Sequence, residues 1–176
     1  MQYTRECLIL IALQITDTKD FTSKLFLQEV FDAFWVVDGT IRTHSTIVLD
    51  GHLNADFYSS EEQDELQVKE QPFVSWRILR PQCFDLIKGK RTPLSFKFCF
   101  RLSDSNVEKL LLQSQIAFSP ADVAGLFLNI RFQDGKILLT TCTALRFFTA
   151  DKSLDQAWDA VIQKFLKQKG IDAELL

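Results

Sequence analysis

The chain is short of the residues that carry metal and proton-transfer chemistry. Its 176 residues include two histidines, His44 and His52, and four cysteines. The cysteines, Cys7, Cys83, Cys99 and Cys142, are widely scattered and form no Cys-x-x-Cys pair. Zinc or a histidine catalyst needs such ligands clustered with carboxylates at close spacing. The expectation is therefore no metal, no cofactor and no catalytic set. A hairpin at Asp50-Gly51 would bring His44 and His52 near each other; otherwise they are ordinary residues of a polar strand face and a turn. Scattered thiols in a chain with a substantial core need no disulfides, which points to reduced cysteines in a cytoplasm.

Glycine-built motifs are missing too. Six glycines form neither Gly-x-Gly-x-x-Gly nor a Gly-x-Ser-x-Gly elbow. Gly89-Lys90 fails as a phosphate loop, because Phe84 takes the upstream glycine position and Arg91 stands where Ser or Thr must meet magnesium. No long apolar run exists. The longest, Cys7 to Leu13, falls far short of the roughly 20 residues that span a bilayer, and no small-x-small cleavage site follows it. It reads as a first β-strand, and no membrane partner is expected. A formal net charge of −3 gives no global drive towards nucleic acid.

What is present is hydrophobic patterning, and it occurs twice. Sixteen phenylalanines against two tyrosines mark aromatics used as core filler. Ile9, Ile11, Leu13 and Ile15 alternate as a strand; Thr16 or Asp17 then caps a helix with Phe21, Leu25 and Phe26 on its apolar side. A hairpin is expected to follow, turning at Asp38-Gly39, with Phe34, Val36 and Ile41 on its inner face. Later, Phe96, Phe98, Phe100 and Leu102 alternate with Lys97, Cys99, Arg101 and Ser103. Ser103 or Asp104 caps a helix with Val107, Leu110 and Leu111. A second hairpin turns at Asp134-Gly135, placing Ile130 opposite Leu139 and Phe132 opposite Ile137. The Asp17–Asp104 offset is 87 and the Asp38–Asp134 offset is 96, which puts nine extra residues around Gln115 to Asp122.

Between the repeat units 9–53 and 94–149 lies a linker, 54–93, that is first acidic and then apolar. Phe73 to Lys88 reads as two short helices with Pro81 opening the second. A C-terminal amphipathic helix, 153–169, follows the spacing of Leu154, Ala157, Trp158, Val161, Ile162, Phe165 and Leu166. Ser153 and Gln156 suit a capping box and Gly170 ends the helix.

One charged patch stands out. Arg77, Arg80, Lys88, Lys90 and Arg91 are opposed only by Asp85. They suit phosphates or an acidic protein surface, with Trp76 available for stacking, or simply complement a helix C-terminus. Trp35, on the outer face of the first hairpin, is a second candidate contact, or it packs under the linker helices.

The second unit resembles the βαββ element of bacterial DNA sliding clamps. The residues concerned are Phe100-Arg101-Leu102, Val107 to Leu111, Ser114 to Ser119, Ala124 to Leu128 and Gly135 to Thr141. That likeness implies association with DNA. The repeat helices depart from it, carrying Lys19, Lys24 and Lys109 against Asp17, Asp20, Asp104 and Glu108. As a whole the chain also resembles an uncharacterised family of cytoplasmic proteins from clostridial Firmicutes, through Leu86 to Pro93 and the Leu154 to Leu166 helix. The expectation is one α+β domain of duplicated βαββ units with mainly antiparallel, sliding-clamp-like sheet. Its expected role is a non-catalytic interaction module for a protein partner, working as a monomer or weak homo-oligomer. The alternatives are a clamp-related DNA-associated protein and an enzyme with an unrecognised pocket.

Overall fold

In the computed structural model, which describes residues 10–176, the chain is an α+β protein built on one antiparallel sheet. The strands are β1 (Ala12–Ile15), β2 (Trp35–Arg42), β3 (Thr46–Asp50), β4 (Ser95–Arg101), β5 (Val123–Gln133), β6 (Lys136–Leu145) and β7 (Ala173–Leu175). Their order across the sheet is β3-β2-β4-β5-β6-β1-β7. The helices are α1 (Thr18–Phe26), α2 (Ser60–Glu65), α3 (Trp76–Ile87), α4 (Asp104–Gln113) and α5 (Ser153–Gln168). Expectations that fall on residues 1–9, Cys7 included, lie outside the described residues.

The core follows from strand alternation. Phe96, Phe98 and Phe100 are buried on one face of β4, and Val36, Ile41, Leu128, Ile130, Ile137 and Leu139 join them from neighbouring strands. Against this face pack Phe21, Leu25 and Phe26 of α1, Trp76 of α3, Val107, Leu110 and Leu111 of α4, and the stripe Leu154, Trp158, Ile162 and Leu166 of α5. Ring contacts run through the cluster; Phe26 meets Phe96 edge-on with centroids 5.3 Å apart, and Trp76 lies 4.9 Å from Phe98. Burial of a large aromatic core against water is what holds helices to sheet.

Both halves keep the β-α-β-β order, but their pairing differs. β4, β5 and β6 are neighbours, whereas β1 pairs with β6 and β7 and never with β2. The second hairpin forms as expected: Asp134 and Gly135 take φ of 53° and 74°, Ile130 faces Leu139, and Phe132 faces Ile137. The first does not turn at Asp38-Gly39. Those residues lie inside β2, beside a bulge between Val36 and Asp38, and the chain turns at Thr43–Ser45. Gly39 is there for space, since a Cβ would sit 2.7 Å from the Phe98 ring. With the turn relocated, residues 27–34 and 114–122 are connections of nearly equal length, and the apparent nine-residue insertion disappears.

Two further expectations are corrected. In place of two short helices over Phe73 to Lys88 there is one, α3, from Trp76 to Ile87, running through Pro81. Pro81 removes the N–H that would bond the Arg77 carbonyl, and because both residues are exposed, that carbonyl loses its partner where water can replace it. At the start of α5 no Ser153–Gln156 box forms; instead Asp151 accepts the Ser153 backbone N–H at 2.8 Å. β7 was not anticipated: three residues after Gly170 return to pair with β1.

α5 is fastened by polar contacts as well as by its stripe. The Trp158 indole N–H donates to the Phe127 carbonyl at 2.9 Å, the Thr141 hydroxyl donates to Asp159, and the Thr143 hydroxyl donates to Asp155. Burial raises the Asp159 carboxyl above its ordinary 3.8; the Thr141 hydrogen bond opposes this and the Asp155 charge adds to it.

Trp158→Ala is expected to destabilise the fold by about 3–5 kcal/mol, read from denaturant melts, since the ring is fully buried. An unchanged melt would make α5 peripheral. For Asp159 the sign follows from its raised pKa: the folded chain holds this proton more tightly, so its contribution to stability falls as pH rises from 3.8 through the folded value. Asp159→Asn should therefore gain on the parent at pH 7, and the difference should shrink as pH is lowered towards 3.8, measured by melts across pH.

Candidate functional site

Burying the phenylalanines of β4 turns Ser95, Lys97, Cys99 and Arg101 to the opposite face. That outer face has two unlike ends. At one end the linker closes over it. Trp35 bridges Ser75, His52 bridges Phe73, and the Arg101 guanidinium lies 5.4 Å from the Trp35 ring centroid and 5.9 Å from that of Phe73. Arg101 is 7% exposed; its Nη2 donates to Asp104 at 2.9 Å and to the Ala124 carbonyl at 3.2 Å.

The other end is open. Strand register places Thr40, Lys97 and Arg131 in one cross-strand row and Arg42, Ser95 and Gln133 in the next. Together with the edge of Phe96 they line a depression of about 380 Å³. Arg42, Lys97 and Arg131 make no ion pair among the described residues, and Arg131 donates to Gln133. Asp38, one row further along, is the nearest acid on the face, and Asp134 begins the adjoining turn. Three guanidinium or ammonium groups, two hydroxyls and an amide around one hollow make a lining whose chemistry suits an anion.

The patch read from sequence is taken apart by the structure. Arg80 is spent on Asp32 in a two-pronged ion pair, with both N···O distances 2.9 Å and side chains 15% and 12% exposed. Lys88 pairs with Asp85 at 2.7 Å on the surface. Arg77 is exposed in the first turn of α3, about 16 Å along the helix axis from Lys88. Lys90 and Arg91 are exposed beyond the helix end; Arg91 precedes Ser95 by four residues and lies within about 14 Å of it by chain reach. None of the five lines the depression.

Both candidate tryptophans are buried. Trp76 is fully buried and donates its indole N–H to the Leu25 carbonyl at 2.8 Å. Trp35 is buried under the linker and Arg101, the packing role that its position allowed. The histidines lie beyond opposite ends of β3, a strand about 17 Å long, so the hairpin separates them. His52 Nδ1 is 2.6 Å from Asp50, both side chains exposed at the end of β3 where no hairpin turn forms, and hydrogen bonds from His52 hold the Asp50 carboxyl below its usual range. Cys83 and Cys99 are free thiols that burial pushes up to about 12, which keeps them protonated and poorly nucleophilic. Cys142 is disulfide-bonded, against the expectation of uniformly reduced cysteines. Among the described residues no group of three or more His, Cys, Asp and Glu is placed to hold a metal, and no helix is long and apolar enough to cross a membrane.

The cations of the depression were missed because they are far apart in sequence. Only Lys97 carried a signal, as a polar residue alternating with phenylalanines; Arg42 and Arg131 join it through the β2-β4-β5 adjacency. The two sets of basic residues should separate in mutagenesis. Arg80→Ala leaves Asp32 with an unpaired, mostly buried charge and is expected to cost about 3 kcal/mol in a denaturant melt. Lys90→Ala and Arg91→Ala should each stay within about 0.5 kcal/mol of the parent.

No curated protein and no solved structure matches the chain. Residues 24–174 match the family of unknown function DUF5721, and the chain belongs to that family.

Proposed function

We propose that the protein is a non-catalytic binding module whose partner is a protein presenting an acidic segment to the open end of the outer sheet face. The observation that carries this is the trio Arg42, Lys97 and Arg131, gathered from three adjacent strands without an ion-pair partner among the described residues. Cations left uncompensated and held on rigid strands steer and orient an anionic partner, and cost little reorganisation when it binds. The lining of the hollow favours binding over catalysis: it offers hydroxyls and an amide, with no histidine, cysteine or carboxylate to activate them. The exposed His52–Asp50 pair lies beyond the hollow, at the other end of β3, and does not line it.

The DNA-associated reading is the competitor, and the charge distribution weakens it. Lys24 of α1 is already paired with Asp20 at 2.6 Å, and α4 opens with Asp104. A few phosphate contacts on a chain of net charge −3 give weak binding that falls steeply with salt.

An affinity pull-down with nuclease controls, paired with calorimetric titration of a glutamate-rich peptide and of duplex DNA, tests the proposal. Expected is capture of a protein that survives nuclease treatment, and peptide binding that the triple variant Arg42→Ala, Lys97→Ala, Arg131→Ala weakens at least about tenfold. Sub-micromolar DNA binding that persists at physiological salt would replace it with the clamp-related reading.

A further inference from the structure

We infer that the depression between β2, β4 and β5 is a subsite for a phosphoryl group, carried on a phosphorylated side chain of the protein partner. This rests on the reading of the open sheet face as the contact surface. The two-row register sets Lys97 and Arg131 side by side and Arg42, opposite Ser95, on the diagonal from Lys97, so that three cations border one hollow of about 380 Å³. A single carboxylate would leave two of these charges uncompensated. A phosphate monoester carries about −1.5 to −2 at pH 7 and offers three terminal oxygens, which matches three cationic donors with the hydroxyls of Thr40 and Ser95 completing the shell. Guanidinium forks suit this geometry better than a lone ammonium does, and two of the three cations are arginines.

The surroundings favour a protein as the carrier. Val48 stands in the same cross-strand row, next to Thr40, and is 74% exposed. An apolar side chain beside the hollow suits a neighbouring residue of a peptide, whereas a nucleic-acid backbone would call for further cations there. The supply of cations is confined to this end of the sheet: Asp38 begins the next row, and Asp50 pairs with it across β3. Towards β6, Lys136 continues the second row opposite Gln133; one doubly charged group fits this supply, and a long run of phosphates does not.

The test uses the full chain, with inorganic phosphate as the first probe and acetate as the monoanionic control, followed by amide shifts in nitrogen–proton correlation spectra. A phosphoserine peptide with an apolar residue next to the phosphoserine, its unphosphorylated and glutamate counterparts, and a single-stranded oligonucleotide form the second set of arms. Expected are saturable phosphate shifts centred on Thr40, Lys97, Arg131 and Gln133, with acetate weaker. The phosphoserine peptide should bind tighter than the glutamate peptide and the oligonucleotide. Lys97→Gln with Arg131→Gln should cut phosphate and phosphopeptide affinity at least about tenfold, while Arg77→Gln with Lys88→Gln leaves both unchanged. Phosphate shifts scattered over the lysines of α5, or binding unaltered in the first variant, would overturn the subsite. If the glutamate peptide binds through these residues and phosphate does not, the phosphoryl inference falls while the acidic-partner reading stands. If no peptide binds, both fall, and tightest binding by the oligonucleotide would assign the hollow to nucleic acid.

Discussion

The burial of Phe96, Phe98 and Phe100 along β4 is the constraint on which the rest of the structure depends. β4 lies between β2 and β5 in the sheet, and its three rings meet Phe26, Phe31, Phe34 and Trp76 on the helical side. Side chains alternate across a strand, so committing these rings to the core commits Ser95, Lys97, Cys99 and Arg101 to the other face. A slip of one residue would drive two cations into an aromatic core and expose three phenylalanines. The register is therefore held by several large apolar groups at once, and the cationic row inherits that rigidity without contributing to it.

The helical side shows how the same economy consumes residues that look functional in one dimension. α3 crosses the sheet with Trp76 wedged under it, the indole bonded to the end of α1, and Arg80 locked onto Asp32. An arginine in a near-buried fork-to-fork pair is a structural group, since releasing it would strand a carboxylate in low dielectric. Pro81 is tolerated inside this helix because the position faces outward, where a lost backbone hydrogen bond can be replaced by water.

The outer face divides according to what covers it. Over Trp35 and Arg101 the linker supplies Phe73 and two bridging backbone contacts, turning a charged residue into a stacked and hydrogen-bonded one. Beyond Asp38 and Cys99 no such cover exists among the described residues, and the cations there border an open hollow. The cations sit where the sheet is left unroofed, and they stand on strands rather than on loops.

How much of this was legible in the sequence divides along the range of the interactions. The α+β class, the Asp134-Gly135 hairpin with its register, the Asp17 cap, the start of α4 after Ser103 and the α5 stripe all rest on contacts within a few residues or on strict periodicity, and the chain alone determined them, although the Ser103 side chain makes no cap bond. The β-α-β-β order of both halves was legible for the same reason. What only the tertiary structure decided involves partners distant in sequence. Gly39 serves a phenylalanine 59 residues away and not a turn, β1 pairs with β6 and β7, and Arg80 meets Asp32 across 48 residues. The candidate site belongs to this second class. Arg42, Lys97 and Arg131 are unremarkable in isolation and become a site only because the strand order places them shoulder to shoulder, and strand order is set by how the whole core packs, which no local pattern encodes.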